Sequence, residues 1–159
     1  MNINRTAVSA ELSLGLIGPE HTIVPLMASL HYNCRDPYAV KIAFHVGAGE
    51  PVEWALARDL LAAALHAREG IGDVQAWPSA ASGDPAVADP GACGETDGEA
   101  AGPAILNIAM TSPFGHAQFE ARAAAIDGFL RRTYRIVPAG EESGFMDFDD
   151  ELSELLSQA

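Results

Sequence analysis

Residues 36–61, DPYAVKIAFHVGAGEPVEWALARDLL, contain the pattern that decides the fold. A turn at Asp36-Pro37 precedes a period-two alternation of apolar residues, which is typical of a strand with one face in the core. The alternating residues are Val40, Ile42, Phe44 and Val46. The glycines at positions 47 and 49 predict a tight reversal, after which the alternation resumes at Val52 and Trp54. Apolar residues then recur at helical spacing, at Ala57, Leu60, Leu61, Ala64 and Leu65. The stretch therefore predicts a β-hairpin followed directly by a helix.

The same two periodicities predict further elements on both sides of the hairpin. The predicted strands span about residues 6–17, 22–35, 73–77, 104–111 and 116–120. Helices are predicted at Leu56–Arg68, with Gly70 as its cap, at Arg122–Tyr134, and as a short amphipathic helix at the end of the chain. Pro25 inside the second strand indicates an edge position or a bulge. Many strands and few helices in this order predict an α+β fold, a bent antiparallel sheet with two main helices and a short C-terminal helix.

The composition indicates one acidic, soluble domain. A chain of 159 residues is long enough for one sizeable core, and its net charge is −13. Such a surface repels nucleic acid and anionic membranes, so we expect neither as a partner. No apolar run approaches the roughly 20 residues of a membrane span, and the N-terminus does not resemble a signal peptide. We therefore expect a cytoplasmic protein without direct membrane insertion.

Residues 80–103 differ from the rest of the chain in composition. This stretch is rich in glycine, proline and acidic residues and has almost no large apolar side chain. Little can be buried there to offset the entropy lost on ordering, so we predict a flexible acidic loop within the single domain.

No arrangement of residues in the sequence predicts catalysis, a metal site or a cofactor. The 5 histidines do not form the spacings that place two imidazoles on one metal ion. Cys34 and Cys93 lie in such different settings that a disulfide is not expected. Glu53 and Asp59 are predicted to form solvated salt bridges with Arg58 or Lys41. An enzymatic or ligand-binding alternative requires a closed polar pocket around His31, His45 or Glu53.

Two groups of residues are candidates for binding a protein partner. Arg131, Arg132 and Arg135 form the only tight basic group in the chain. Leu152, Leu155 and Leu156 form the apolar stripe of the predicted C-terminal helix. Trp54 and Trp77 are interpreted as core residues beside the first helix, although aromatic residues on a sheet also serve single-strand binders as stacking surfaces.

Four blocks of the sequence resemble the SsgA-like family of actinobacterial sporulation-specific cell-division proteins, and within it the SsgB type. The first block is DPYAV with V-E-W and A-R-D-L-L, and the second is Asp73-Val74 with Trp77-Pro78-Ser79. The third is Ser112-Pro113 with Gly115, Phe129-Leu130 and Arg132-Thr133, and the fourth is DFDDELSELL at residues 147–156. The resemblance covers most of the chain outside residues 80–103.

The resemblance implies a function as well as a fold. It implies a Whirly-like arrangement of twisted sheets and a homotrimer. It also implies a non-enzymatic adaptor that helps choose the sporulation septum site by recruiting the tubulin-like GTPase FtsZ, with SsgA-type relatives as partners. The alternative is a single-stranded nucleic-acid-binding protein of the same fold.

Overall fold

The computed structural model describes residues 6–80, 105–145 and 155–157. The strands are β1 (Ala7–Ile17), β2 (Ile23–Asn33), β3 (Ala39–His45), β4 (Val52–Ala57), β5 (Val74–Ser79), β6 (Ile105–Ser112) and β7 (Gly115–Arg122). Helices α1 (Arg58–Ala64) and α2 (Ala123–Ile136) follow β4 and β7, and single 3-10 turns span Pro19–His21 and Glu142–Phe145. The strands form one antiparallel sheet in the order β4-β3-β2-β1-β7-β6-β5. The predicted fold class, an antiparallel sheet with two main helices, is confirmed.

The sheet is strongly curled. Phe44 on β3 and Phe119 on β7 are three strand positions apart, which corresponds to about 14 Å in a flat sheet. Their ring centroids are nevertheless only 4.4 Å apart, and the rings are stacked. The bend lies at β1, because β1 pairs with β2 along its whole length but with β7 only at Gly15 and Leu16. The curl brings the two ends of the sheet together around one core.

Helix α2 packs against β1, β6 and β7, and α1 packs against β5 and α2. The buried face of α2 contains the residues that helical spacing predicted: Ile126, Phe129, Leu130 and Thr133. The largest buried apolar side chains from the strands are Leu30, Tyr32, Ile42, Phe44, Leu106 and Ile108. The core therefore lies between the concave face of the sheet and the two helices.

Helix α1 is shorter than predicted at both ends. Leu56 and Ala57 belong to β4, where they pair with residues of β3, so strand pairing overrides the local helical pattern there. The helix ends at Ala64, so Gly70 does not cap it. Gly70 instead has a φ of +106°, and a Cβ at this position would collide with the carbonyl oxygen of Val74. A glycine is needed there because the chain turns back to pair Glu69 with Ala76.

The two prolines in strands lie where one side of the backbone has no partner. Pro25 pairs with Gly15 on β1, whereas the pairing of β2 with β3 begins only at Met27. Pro78 extends β5 beyond its predicted end at Trp77, and β5 is an edge strand of the sheet. Proline has no amide hydrogen to donate, so these are the positions in a sheet that tolerate it.

Two predicted segments fall largely outside the described residues. The predicted flexible loop at 80–103 does so from residue 81 onward. Of the predicted C-terminal helix, residues 155–157 are described, and they are helical.

Candidate protein-contact surfaces

A buried arginine joins the start of α1 to the segment after α2. The side chain of Arg58 is 1% exposed. Its guanidinium donates a hydrogen bond of 2.6 Å to the carboxylate of Glu142 and one of 2.8 Å to the carbonyl oxygen of Val137. The guanidinium carbon also lies 5.0 Å from the ring centroid of Tyr32 and 4.2 Å from that of Tyr134. The prediction that Arg58 forms a solvated salt bridge with a nearby acid is therefore wrong, since its partner is a buried carboxylate 84 residues away.

The environment of this arginine shifts the ionisation of its neighbours. Burial raises the pKa of the Tyr32 hydroxyl to about 12 and also raises the pKa of Tyr134, because the charged forms would lose hydration. A hydrogen bond from its own backbone amide, together with the bond from Arg58, lowers the pKa of Glu142. These pKa shifts favour neutral tyrosines beside a charged Arg58–Glu142 pair, which indicates that this cluster stabilises the fold.

Three of the histidines are engaged with neighbouring hydroxyl groups. His31 lies 2.8 Å from the hydroxyl of Ser9, and His45 lies 2.7 Å from that of Ser29, both on the exposed face of the sheet. His116 lies 3.2 Å from the hydroxyl of Thr111. A depression of about 640 Å³ on this face is lined by Glu11, His31, Lys41 and Glu53, which are all exposed. It is an open surface and not the closed polar pocket that the enzymatic alternative requires.

An apolar surface lies at the end of the sheet where the β3–β4 and β6–β7 turns meet. We call it the hairpin-end patch and define it by the exposed side chains of Val24, Met27, Val46, Val52 and Phe114. Phe114 is 99% exposed, in the turn between β6 and β7.

Two adjoining cavities make this patch continuous. One has a volume of about 380 Å³ and lies beside Val46, Val52 and Phe114, and the other has a volume of about 430 Å³ and lies beside Val24 and Met27. Leu16 and Val46 line both cavities. Among the described residues, no aspartate, glutamate, lysine or arginine lines either of them. Within the described part of the chain, the patch is therefore a concave apolar surface without acidic or basic side chains, on a protein with a net charge of −13.

The two tryptophans have different environments. Trp54 is half-buried against the core and lines the apolar cavity beside Phe114, which agrees with its interpretation as a core residue. Trp77 lies under Arg68, whose guanidinium carbon is 4.4 Å from the ring centroid. Because the arginine already stacks on one face of this ring, Trp77 does not offer that face to a nucleotide base.

The structure separates the predicted basic group into two parts. Arg131 forms a 2.9 Å ion pair with Asp127 one turn earlier on α2. Arg132 and Arg135 instead line a cavity of about 560 Å³ with Cys34 and Phe145, among other residues. We call this the arginine cavity, and it is completed by Thr6, Val8 and Ile136. Of the predicted leucines, Leu155 and Leu156 are exposed, and Leu152 lies outside the described residues.

Comparison with known proteins identifies the family. The model of the family described as "Streptomyces sporulation and cell division protein, SsgA" matches residues 26–89 and 92–142. The chain belongs to the SsgA family. The resemblance found in the sequence blocks is thereby confirmed.

Relatives match almost the whole chain. The sporulation-specific cell division protein SsgB of Thermobifida fusca is 43% identical over 99% of this chain and 100% of the relative. The protein of the same name from Streptomyces coelicolor is 42% identical over 97% of this chain and 98% of the relative. The crystal structure of an SsgA-like sporulation-specific cell division protein from T. fusca superposes with a TM-score of 0.73, covering 97% of this chain and 98% of that one. An SsgB structure from a study of mutations that correlate with longitudinal cell division in S. coelicolor gives a TM-score of 0.71 at 40% identity, covering 89% of this chain and 96% of that one.

The surfaces that the structure assembles were only partly visible in the sequence of this SsgA-family protein. The hairpin-end patch combines residues from four separate turns and strands, so no single stretch predicted it. Alternation predicted Val46 as a core residue, but it lies in the turn after β3 and is exposed. Phe114 follows a proline in a turn, and a large apolar residue in a turn was the one available signal. None of the helices in the described residues is long and apolar enough to cross a membrane.

Proposed function

We propose that this protein is a non-enzymatic cell-division adaptor that helps position the sporulation septum by recruiting FtsZ. The observation that carries this proposal is the near-complete match, at 43% and 42% identity, with relatives named as sporulation-specific cell division proteins. In this proposal the protein is cytoplasmic, moves to the division septum, and has SsgA-type relatives as further partners.

The described surface supports a role in binding proteins. Contiguous exposed apolar surface with cavities is characteristic of protein–protein contact sites. The polar depression around His31 and Glu53 is open to solvent. His31 is hydrogen-bonded to Ser9, and no described hydrogen bond joins it to a carboxylate. An adaptor function uses the exposed apolar surface and requires no catalysis in the polar depression.

We assign the hairpin-end patch to contacts between copies of this chain in a homotrimer. Each copy carries a net charge of −13, so two copies repel each other wherever acidic surfaces meet. The described lining of the patch has no acidic side chain, which makes the patch the favourable place for close approach. Interfaces of permanent homo-oligomers are also more apolar than transient ones, which matches valine, methionine and phenylalanine in this patch.

Light scattering on two matched variants tests the trimer. Phe114→Ser removes an apolar group that is 99% exposed, so it does not disturb the folded subunit. If Phe114 is buried between copies, each contact loses about 2–3 kcal/mol, and the mass falls from three chains toward one. The control is Ile71→Ser, because Ile71 is 100% exposed but lies outside the patch. A wild-type monomer, or an unchanged trimer in Phe114→Ser, contradicts the assignment.

Co-sedimentation with FtsZ polymers tests the adaptor function itself. The wild-type protein is expected to pellet with FtsZ polymers and to remain in the supernatant without them. A single-stranded oligonucleotide serves as the control ligand, and we expect no binding to it at physiological salt, given the acidic surface. Tight oligonucleotide binding without co-sedimentation would favour the nucleic-acid alternative.

A further inference from the structure

The arginine cavity combines two cationic side chains with apolar surface. It lies between the N-terminal end of β1, the residue after β2, the last turn of α2 and the 3-10 turn at Glu142–Phe145. Val8, Ile136 and Phe145 supply apolar groups, while Arg132 and Arg135 supply two cations. Both arginines are exposed, so the volume of about 560 Å³ can be reached from solvent.

The two cations of this cavity are not neutralised within the described residues. Arg58 is paired with Glu142 and Arg131 with Asp127, whereas neither Arg132 nor Arg135 forms an ion pair with a described residue. The guanidinium carbon of Arg132 lies over the ring of Phe129, 5.9 Å from its centroid. The C-terminal end of the helix dipole favours arginines at these positions, but it leaves their side-chain N–H groups available. Each guanidinium can therefore still donate hydrogen bonds to a carboxylate.

We propose that the arginine cavity binds an acidic segment of the protein partner, in which a carboxylate and an apolar side chain lie close together. The carboxylates pair with Arg132 and Arg135, and the apolar side chain packs against Val8, Ile136 and Phe145. This inference rests on the proposed function, because FtsZ is the partner whose segment we assign to the cavity. It adds the surface and the chemistry through which that partner is recognised.

The charge of the whole protein favours a short peptide segment over a polyanion. A nucleic-acid strand brings one negative charge per nucleotide, and the net charge of −13 on each subunit repels such a strand over most of its length. A segment with two or three carboxylates brings only the charge that the two arginines neutralise. The apolar lining gives a further reason, because it forms no favourable contact with a phosphate group but can pack against a side chain such as phenylalanine or leucine.

Matched arginine variants test the proposal with the full-length protein and FtsZ polymers. The double variant Arg132→Gln/Arg135→Gln keeps a polar side chain with an N–H donor at each position but removes both charges. We expect it to raise the Kd for FtsZ polymers about tenfold and to abolish most of the weakening that salt causes in the wild type. The control Arg131→Gln removes a neighbouring exposed charge that is already paired with Asp127, and a change below about twofold is expected. Because all these side chains are exposed, we expect each variant to keep the melting temperature of the wild type, and this measurement checks that the variants are folded.

A peptide arm tests the cavity independently of FtsZ. The probe is the synthetic peptide GDFDLDG, and its control is GNFNLNG, in which amides replace the carboxylates. The readout is the rate at which maleimide modifies Cys34, which lines the cavity. The chain has 2 cysteines, so the substitution Cys93→Ser leaves Cys34 as the single thiol. We expect GDFDLDG to slow this modification in the wild-type arginine background. Neither GNFNLNG nor the double arginine variant is expected to give protection.

The outcomes separate the inference from the proposed function. Protection by GDFDLDG that depends on the arginines supports the cavity assignment, even if FtsZ does not bind and the adaptor function fails. FtsZ binding that is unchanged in the double variant, without peptide protection, overturns the assignment but preserves the adaptor function. Arginine-dependent protection by a single-stranded oligonucleotide, with none by the peptide, also overturns it and assigns the cavity to a phosphate backbone.

Discussion

Replacing Arg58 with methionine is expected to destabilise the protein far more than removing any surface charge. Methionine retains much of the apolar volume of the arginine stem but cannot donate hydrogen bonds. The Glu142 carboxylate then loses its cationic partner, the Val137 carbonyl loses a donor, and the rings of Tyr32 and Tyr134 lose a stacked cation. Removing one partner of a buried ion pair costs about 3–5 kcal/mol, because the other charge stays buried without compensation.

Thermal and urea unfolding of three variants measure this cost. For a domain of this size, a loss of about 4 kcal/mol lowers the melting temperature by roughly 10 °C. Arg131→Met is the matched control, since its ion pair is exposed and is worth about 0–1 kcal/mol. The double variant Arg58→Met/Glu142→Gln should be more stable than Arg58→Met alone, because no isolated carboxylate remains. A loss in Arg58→Met no larger than that in Arg131→Met would refute the argument that Arg58 compensates a buried carboxylate.

Three further predictions concern pH and backbone geometry. The folded-state pKa of Glu142 lies below its ordinary value of 4.5, so its contribution to stability is complete above that pH and is lost as the pH falls through the folded-state pKa. Acid unfolding curves of Glu142→Gln should therefore be flatter than the wild type below pH 4.5. The pKa of Tyr32 is raised from 10.0 to about 12, so the stability it provides is present below pH 10.0 and is lost as the pH rises toward 12. Urea midpoints should fall across this range, and Tyr32→Phe should reduce the slope of that fall. Gly70→Ala should cost roughly 1–3 kcal/mol more than Gly72→Ala, because both have positive φ but only a Cβ at position 70 meets a backbone carbonyl. Equal urea midpoints for these two alanine variants would rule out that collision.

The elements that the sequence predicted well are those whose pattern is local. The β3–β4 hairpin and the buried face of α2 follow from periods of two and of 3.6 residues, which need no knowledge of the rest of the chain. The boundary between β4 and α1 was placed two residues too early, because Leu56 fits either period and only its pairing with Val40 decides for the strand. The prediction that Gly70 caps α1 was wrong for a similar reason. The bridge between Glu69 and Ala76 joins segments outside the helical pattern, so that pattern could not reveal the turn at Gly70.

The candidate site was predicted in its components but not in its arrangement. Clustering in the sequence singled out Arg131, Arg132 and Arg135 as a group. Helical geometry places all three within an arc of about 100° on α2, and the structure shows that only Arg132 and Arg135 line a cavity with Phe145 and Cys34. Salt bridges were predicted between neighbours in the sequence, and for this reason the Arg58–Glu142 pair was missed.

The sequence by itself determined the fold class, the acidic character of the chain and the family, because periodicity, composition and ordered motif blocks are properties of the linear chain. Only the tertiary structure decided which residues meet across the curled sheet. Phe44 stacks on Phe119, Arg58 reaches Glu142, and Val46 joins Phe114 in one apolar surface. The physical reason is that burial patterns record whether a side chain faces the core, but they carry no information about which distant segment lies opposite. That choice is made when the whole chain closes around its core and most buried polar groups find partners.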